Sequence, residues 1–323
     1  MSRDRTTVLV LGGTGMLGHT LFEHLSERPD LDVHATVRDA APLSGRTPPD
    51  RRALIHAGID AIRVDHLEQI VAEVRPAVLV NAIGIVKQVP AASDALAPTE
   101  INALLPHRLA RLCALAGIRL IHIGTDCVFS GSAGSYTEDD APDPVDLYGR
   151  TKLRGEPLLG EPPLGAGAPG ALTLRTSLIG HELRSGHGLL EWMLRQVGPT
   201  TGYRRAIFSG LTTLELARVV ADVVLPRPEL SGLYHVSSAP ISKLDLLKLI
   251  ARRYEREIEI IASDEPEIDR SLDSTRFQAA TGYRPPGWPE LVDAMYDDAI
   301  VRYPARFGGA ARLAGVARLS AAR

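Results

Sequence analysis

Through the first half of the chain, short β-branched and aliphatic runs alternate with longer stretches whose apolar positions recur every three or four residues. That alternation predicts β–α–β units, with parallel strands buried on both faces beneath covering helices. Strands are expected at Thr7–Leu11, Val33–Val37, Ala61–Val64, Ala77–Asn81, Leu120–Ile123 and Leu172–Thr176. Helices are expected at Met16–Ser26, Leu67–Val74 and Thr99–Ala116, the last stopped by Gly117. After Leu178 the segments are shorter: Leu189–Val197, Leu214–Val224, Gly232–Ser237, Lys243–Arg253 and Pro289–Val301. The fold class is therefore α/β, a doubly wound parallel sheet with a smaller C-terminal α/β lobe. Residues 1–178 read as a nucleotide-binding domain, 179–305 as the lobe and 306–323 as a flexible Ala/Gly-rich tail. Leu214–Val224 belongs to the lobe or packs back on the first domain, and the Pro/Gly/Ala-rich stretch 161–170 is a loop.

Composition narrows the class. The 323 residues are 45% hydrophobic and 23% charged with a net charge of −3, the balance of a globular protein. No apolar run approaches the roughly 20 residues of a spanning helix, and no signal-peptide pattern opens the chain, so a cytoplasmic protein without a membrane partner is expected. Lys and Arg form no stripe suited to nucleic acid. Cys113 and Cys127 belong to no Cys/His cluster, so neither a disulfide framework nor a metal site is expected.

The chemistry begins at Gly12-Gly13-Thr14-Gly15-Met16-Leu17-Gly18, between the first strand and the first helix. Glycines there let the backbone approach a pyrophosphate, and the helix start offers unpaired N–H groups, so Gly12, Thr14, Gly15, Met16, Leu17 and Gly18 are candidate cofactor contacts. Arg38, ending the second strand, suits the 2′-phosphate of NADP; Asp39 beside it would suit the ribose of NAD. NADP is expected, with NAD possible. Asp65 either lines the cofactor or caps the helix near Leu67, and Asn81, Ala82 and Gly84 lie where the fourth strand ends.

Tyr148 and Lys152, four residues apart, share one helix face, where the cation favours phenolate and brings the phenol toward acid–base use. The Thr125 hydroxyl should emerge at the sheet's carboxyl edge. The segments Gly124-Thr125-Asp126-Cys127-Val128-Phe129-Ser130-Gly131, Tyr136-Thr137-Glu138-Asp139-Asp140, Tyr148 to Glu156 and Arg175-Thr176-Ser177 resemble, in order, the extended short-chain dehydrogenase/reductases of the dTDP-4-dehydrorhamnose reductase family. The resemblance is strong over residues 6–180 and implies a Rossmann domain, NAD(P)H, and a catalytic triad at Thr125, Tyr148 and Lys152. It implies reduction of a nucleotide-linked keto-deoxysugar, a 4-keto-6-deoxyhexose first, with Tyr148 as proton donor. An epimerase with retained cofactor, or a non-catalytic nucleotide-binding subunit, are the alternatives.

Two departures stand out: Gly124 and Cys127 occupy positions usually held by serine and tyrosine, and Ser209-Gly210-Leu211-Thr212-Thr213 replaces a Gly-x-Pro-Thr segment. Related 4,6-dehydratases follow the threonine with Asp-Glu, whereas Asp126-Cys127 lacks the second acid. Substrate candidates are Thr125, Asp126, Cys127, Ser177, Glu191, Trp192, Arg270 and Arg276, the arginines for a diphosphate and Trp192 for a base. Asn102 either supports the site through a water or lies on a helix surface, and His235 reads as a packed strand histidine. A homodimer is possible.

Overall fold

The computed structural model describes residues 5–43, 51, 54–86, 94–156, 170–184 and 186–307. The predicted loop at 161–170, except Gly170, and the tail from residue 308 onward lie outside the described residues.

Strands β1 (Thr6–Leu11), β2 (Leu31–Val37), β3 (Ile55–Ala57), β4 (Val78–Asn81), β5 (Arg119–Ile123) and β6 (Leu172–Arg175) alternate with α1 (Met16–Leu25), α2 (Val64–Val74), α3 (Leu96–Pro98), α4 (Leu105–Ala116) and α5 (Leu147–Arg154). Next come β7 (Leu178–Ile179), α6 (Leu189–Arg195), β8 (Thr200–Tyr203), β9 (Ala206–Phe208), β10 (Leu211–Thr212), α7 (Thr213–Arg218) and β11 (Gly232–His235). The order closes with β12 (Ile241–Ser242), α8 (Lys243–Arg253), β13 (Ile260–Ser263), β14 (Ile268–Asp269), α9 (Thr275–Thr281), α10 (Trp288–Arg302) and α11 (Pro304–Phe307).

Seven strands form one sheet in the order β11-β6-β5-β4-β1-β2-β3, every neighbouring pair parallel. Because side chains alternate along a strand, β1 sends Val8 and Val10 into one core with Leu21 and Phe22 of α1, and Leu9 and Leu11 into another with Leu67 and Ile70 of α2 and Leu109 of α4. These two layers explain the nearly unbroken apolar strands. Chain order reverses between β1 and β4, so the crevice for a ligand opens where Leu11 and Asn81 end.

The structure corrects three boundaries. The third strand is Ile55–Ala57, not Ala61–Val64; those residues lead into α2, which begins at Val64. The helix expected over Thr99–Ala116 starts as a π-helical turn, Thr99–Leu104, before α4, and Gly117 ends it at φ 69°. Arg306 and Phe307, counted with the tail, lie in α11. In the second half, β11 pairs with β6 as the seventh strand, and α7 packs back on α1, where the Thr20 hydroxyl donates to the Thr213 hydroxyl at 3.3 Å.

Candidate active site

The glycine turn is shaped by close approach. Gly12 adopts φ +86°, and a Cβ on Gly18 would stand 2.0 Å from the Gly12 carbonyl oxygen, so α1 meets the turn only if residue 18 has no side chain. Gly15 is the N-cap of α1 and provides no side-chain cap, leaving the first-turn N–H groups for an outside acceptor. Thr14, Gly15 and Met16 are accessible, whereas Leu17 and Gly18 are buried beneath the turn. This uncapped, glycine-built helix start fits a dinucleotide pyrophosphate.

Along the same carboxyl edge, Arg38 is exposed beyond β2, and Asp39 accepts from the Ala41 N–H and pairs with Arg184 at 3.0 Å. With the third strand relocated, Asp65 no longer follows a strand end: it sits exposed in the first turn of α2, paired with Arg63 at 2.5 Å. Asp60 stands nearer that edge, its carboxylate accepting from the Ile62 N–H. Asn81 is buried; its Oδ1 accepts from the Ile83 N–H at 3.2 Å and its Nδ2 lies 3.1 Å from His122 Nδ1, which fixes the start of the Ala82–Gly84 segment.

Three side chains converge beyond β5. Thr125 caps a short 3-10 turn by accepting from the Cys127 N–H at 3.2 Å, donates to Asp126 Oδ1 at 3.2 Å, and hydrogen-bonds the Tyr148 phenol. Asp146 caps α5 by accepting from the Gly149 N–H at 2.7 Å, which starts the helix one residue before Tyr148. Gly149 is required because a Cβ there would lie 2.1 Å from the Cys127 carbonyl oxygen. Lys152, one turn along, is buried and donates to the Ile123 carbonyl at 2.7 Å. Burial pushes Lys152 down to about 8, opposed by the Glu156 charge. Burial pushes the Tyr148 phenol well above its ordinary range, with Cys127 and Asp126 adding to the shift and the Thr125 bond opposing it. The four-residue spacing to Lys152 predicted a phenol drawn toward neutral pH; burial instead raises it, and it is protonated at neutral pH. Asp126 is also raised, first by burial, while the nearby charges of Lys243 and Arg270 pull the other way.

Two residues that lie in the motif segments, but to which the sequence alone assigns no role, hold this geometry. Glu156 and Arg175 form a buried two-pronged ion pair at 2.8 and 2.7 Å, tying the end of α5 to β6, and Arg175 also lies 3.2 Å from His235 Nε2. A Cβ on Gly124 would sit 3.0 Å from the Arg175 side chain, a close approach at which that side chain would have to give by a few tenths of an ångström. His235 is a packed strand residue, its pKa drawn down to about 4 by burial and then by Arg175. Asn102 is buried and does not lie on a helix surface. Both its amide hydrogens are spent, on the Ile85 carbonyl at 2.9 Å and the Thr151 hydroxyl at 3.3 Å, while its Oδ1 accepts from the Ile85 N–H at 2.9 Å.

In the second half, Trp192 lines a groove of about 430 Å³ with Leu189, Thr200, Tyr203, Lys243 and Leu247. Lys243 sits over the Phe208 ring at 4.1 Å, and its charge acts on Asp126 in the Thr125 loop. Arg270 lies against that loop, donating from Nε to the Phe129 carbonyl at 2.9 Å with Nη1 3.9 Å from Cys127 Sγ. Ser177 stands where a Cβ on Gly210 would be 1.9 Å from its carbonyl oxygen, which accepts from the Leu211 N–H. Two candidates are engaged elsewhere: Arg276 pairs with Asp139 and Glu138, and Glu191 is buried against His181 and Arg306. Among the described residues no group of three His, Cys, Asp or Glu side chains could hold a metal, and no helix is long and apolar enough to cross a membrane.

The model of the RmlD substrate binding domain family matches residues 6–301. The chain belongs to that family. Curated relatives include the methionine adenosyltransferase 2 subunit beta of Mus musculus, 31% identical over 159 residues that make up 49% of this chain and 44% of the relative. The chain thus matches less than half the length of that relative. A dTDP-4-dehydrorhamnose reductase of Aggregatibacter actinomycetemcomitans is 23% identical over 88% of this chain and 96% of its own. Among solved structures, the dTDP-4-dehydrorhamnose reductase from Bacillus anthracis in complex with NADP superposes with a TM-score of 0.74 at 22% identity, over 91% of this chain and 99% of that one. The UDP-glucose 4-epimerase of Thermus thermophilus in complex with NAD gives 0.72 at 20% identity, over 90% and 97%. Both structures share the doubly wound fold. The RmlD family match extends well beyond residue 180, across the lobe where the sequence motifs thin out.

Proposed function

We propose that this RmlD-family chain is an NADPH-dependent reductase of a keto group on a nucleotide-linked deoxysugar, a 4-keto-6-deoxyhexose first. The observation that carries the reading is the protonated Tyr148 phenol hydrogen-bonded to Thr125, with the buried Lys152 one helical turn away, at the sheet edge that also bears the uncapped glycine turn. NADP is favoured over NAD because Arg38 is exposed at the end of β2 while Asp39 is engaged by Arg184 and the Ala41 N–H. Thr14, Gly15, Met16, Arg38 and the Ala82–Gly84 segment would hold the cofactor, which supplies a hydride for a carbonyl carbon.

Tyr148 donates its proton to the carbonyl oxygen as negative charge grows there. Thr125 would turn its single O–H from Asp126 to that oxygen and orient it, and Lys152 would supply positive charge for the phenolate left behind. The groove with Trp192, Tyr203 and Lys243 offers aromatic walls for a base and a cation for phosphate, and Arg270 offers a second cation near the Thr125 loop. Cys127 stands beside Tyr148 as a small side chain where the family usually has tyrosine, so it leaves room at the reacting sugar.

A second reading is favoured by the likeness to a protein named as a subunit beta: a nucleotide-binding subunit acting through a partner enzyme. One experiment separates the two. Purified protein is mixed with NADPH or NADH and a panel of dTDP- and UDP-linked 4-keto-6-deoxysugars, and absorbance of the reduced nicotinamide is followed. The reductase consumes cofactor only with sugar present, and Tyr148→Phe lowers kcat by about 10²–10⁴-fold while still binding cofactor. Binding without turnover across the panel would favour the subunit reading.

A further inference from the structure

The C-terminal turn reaches back to the glycine turn. His19 of α1 is fully buried, with Nδ1 2.7 Å from the Gly15 carbonyl oxygen and Nε2 2.6 Å from the Tyr303 hydroxyl. A carbonyl oxygen only accepts, so Nδ1 carries the hydrogen and Nε2 is the acceptor of the Tyr303 O–H. The same Gly15 carbonyl also accepts the helical N–H of His19 at 3.1 Å. Gly15 thus has two donors on the carbonyl of its peptide link to Met16. In a planar trans peptide the C=O and N–H point in opposite directions, so pinning this carbonyl along α1 aims the Met16 N–H out of the helix start.

Tyr303 is itself held by the second half of the chain. Its ring packs against His181 and Phe307, and Arg306, three residues on, grips Glu191 of α6 at 2.8 and 2.5 Å. His181 closes the cluster, with Nδ1 3.0 Å from Glu191 Oε1 and Nε2 2.9 Å from the Tyr254 hydroxyl. The hydrogen-bonded path runs from Tyr303 through His19 to a peptide of the cofactor turn.

We infer that His19 and Tyr303 are positioning residues for the cofactor: the Tyr303 hydroxyl fixes the tautomer and tilt of His19, which presets the Gly15–Met16 peptide for the dinucleotide pyrophosphate. Neither side chain needs to touch the cofactor. The inference rests on the cofactor reading above and adds that affinity for the dinucleotide depends on the C-terminal turn.

The test is a fluorescence titration of NADPH, and separately NADH, into the full chain and into Tyr303→Phe, His19→Leu and His19→Asn. Asparagine can offer an amide N–H where histidine offers Nδ1–H, so it serves as the conservative rescue. Expected are a Kd raised about five- to tenfold in Tyr303→Phe, at least as much in His19→Leu, and within about twofold of the parent in His19→Asn. In turnover, Tyr303→Phe should raise KM for the cofactor with kcat and the sugar KM nearly unchanged, a split that loss of packing alone would not give. Tyr303→Phe keeps the ring, so its thermal midpoint serves as a check that it folds. An unchanged Kd in folded Tyr303→Phe would overturn the inference and leave the cofactor reading intact. A parent chain that binds neither NADPH nor NADH would remove both.

Discussion

Lys152 shows how much of a residue's behaviour is set by its surroundings. An exposed lysine keeps its proton to about pH 10.4, whereas burial behind α5 brings Lys152 down to about 8. In the proposed reductase the Lys152 ammonium would stabilise the phenolate that Tyr148 leaves behind; that charge is intact at pH 7 and is lost as pH rises through 8. The expected pH profile of sugar reduction is therefore flat near neutrality, and kcat/KM falls by about tenfold per unit well above pH 8. A stopped-flow series from pH 6.5 to 10 measures it, and a profile unaltered up to pH 10 would show that the charge on Lys152 does not matter. Thr125, Tyr148 and Lys152 were legible in the sequence because a four-residue spacing and a strand end are local signals. Glu191 was not, since its partner Arg306 is 115 residues away, and the Tyr303 contact of His19 spans 284 residues. A short-range pattern offered Glu191 to the substrate; the folded chain places it in an internal ion pair.

At the scale of elements, the main strands were readable because both faces are buried and the runs stay apolar. The third strand was missed because Ile55–Ala57 is a three-residue edge strand with a histidine at its centre, while Ala61–Val64 looks more strand-like but turns into α2. The π-helical turn at Thr99–Leu104 has no period of its own to betray it. The junction between the glycine turn and α1 was readable, and its tolerance is now measurable. A methyl group at residue 18 would meet the Gly12 carbonyl oxygen at 2.0 Å, and that oxygen is backbone with no rotamer to escape into. Gly18→Ala should cost about 1–3 kcal/mol in denaturant unfolding and weaken NADPH binding by more than tenfold, because the turn must shift where a phosphate would lie. An alanine variant with parental stability and affinity would mean that α1 can back away from the turn.

On the scale of the whole molecule, the cluster of His181, Glu191 and Arg306 ties elements far apart in sequence, and it makes stability depend on acid. Burial alone would raise Glu191, but hydrogen bonds from His181 and Arg306, with their charges, hold it at about 2 against an ordinary 4.5. A carboxyl depressed in this way contributes stability that is fully present above pH 4.5 and is lost as the pH falls through 2. Glu191→Gln should therefore be less stable than the parent by about 3 kcal/mol at pH 6, with the gap closing toward pH 2. Urea titrations at several pH values read that difference, and a gap constant with pH would mean that the carboxylate charge contributes nothing.

The seventh strand has a bearing on how the protein is made. β11 completes the sheet beside β6, and Arg119 of β5 donates to the carbonyls of Val224 and Leu230 on the approach to it, at 2.8 and 2.9 Å. A ribosome delivers β6 well before residue 232, so the nascent chain passes through an interval in which Leu172 and Leu174 lie on an open β-edge. Shortening the gene to its first 178 codons would prolong that interval indefinitely and yield an insoluble fragment instead of a compact nucleotide-binding half.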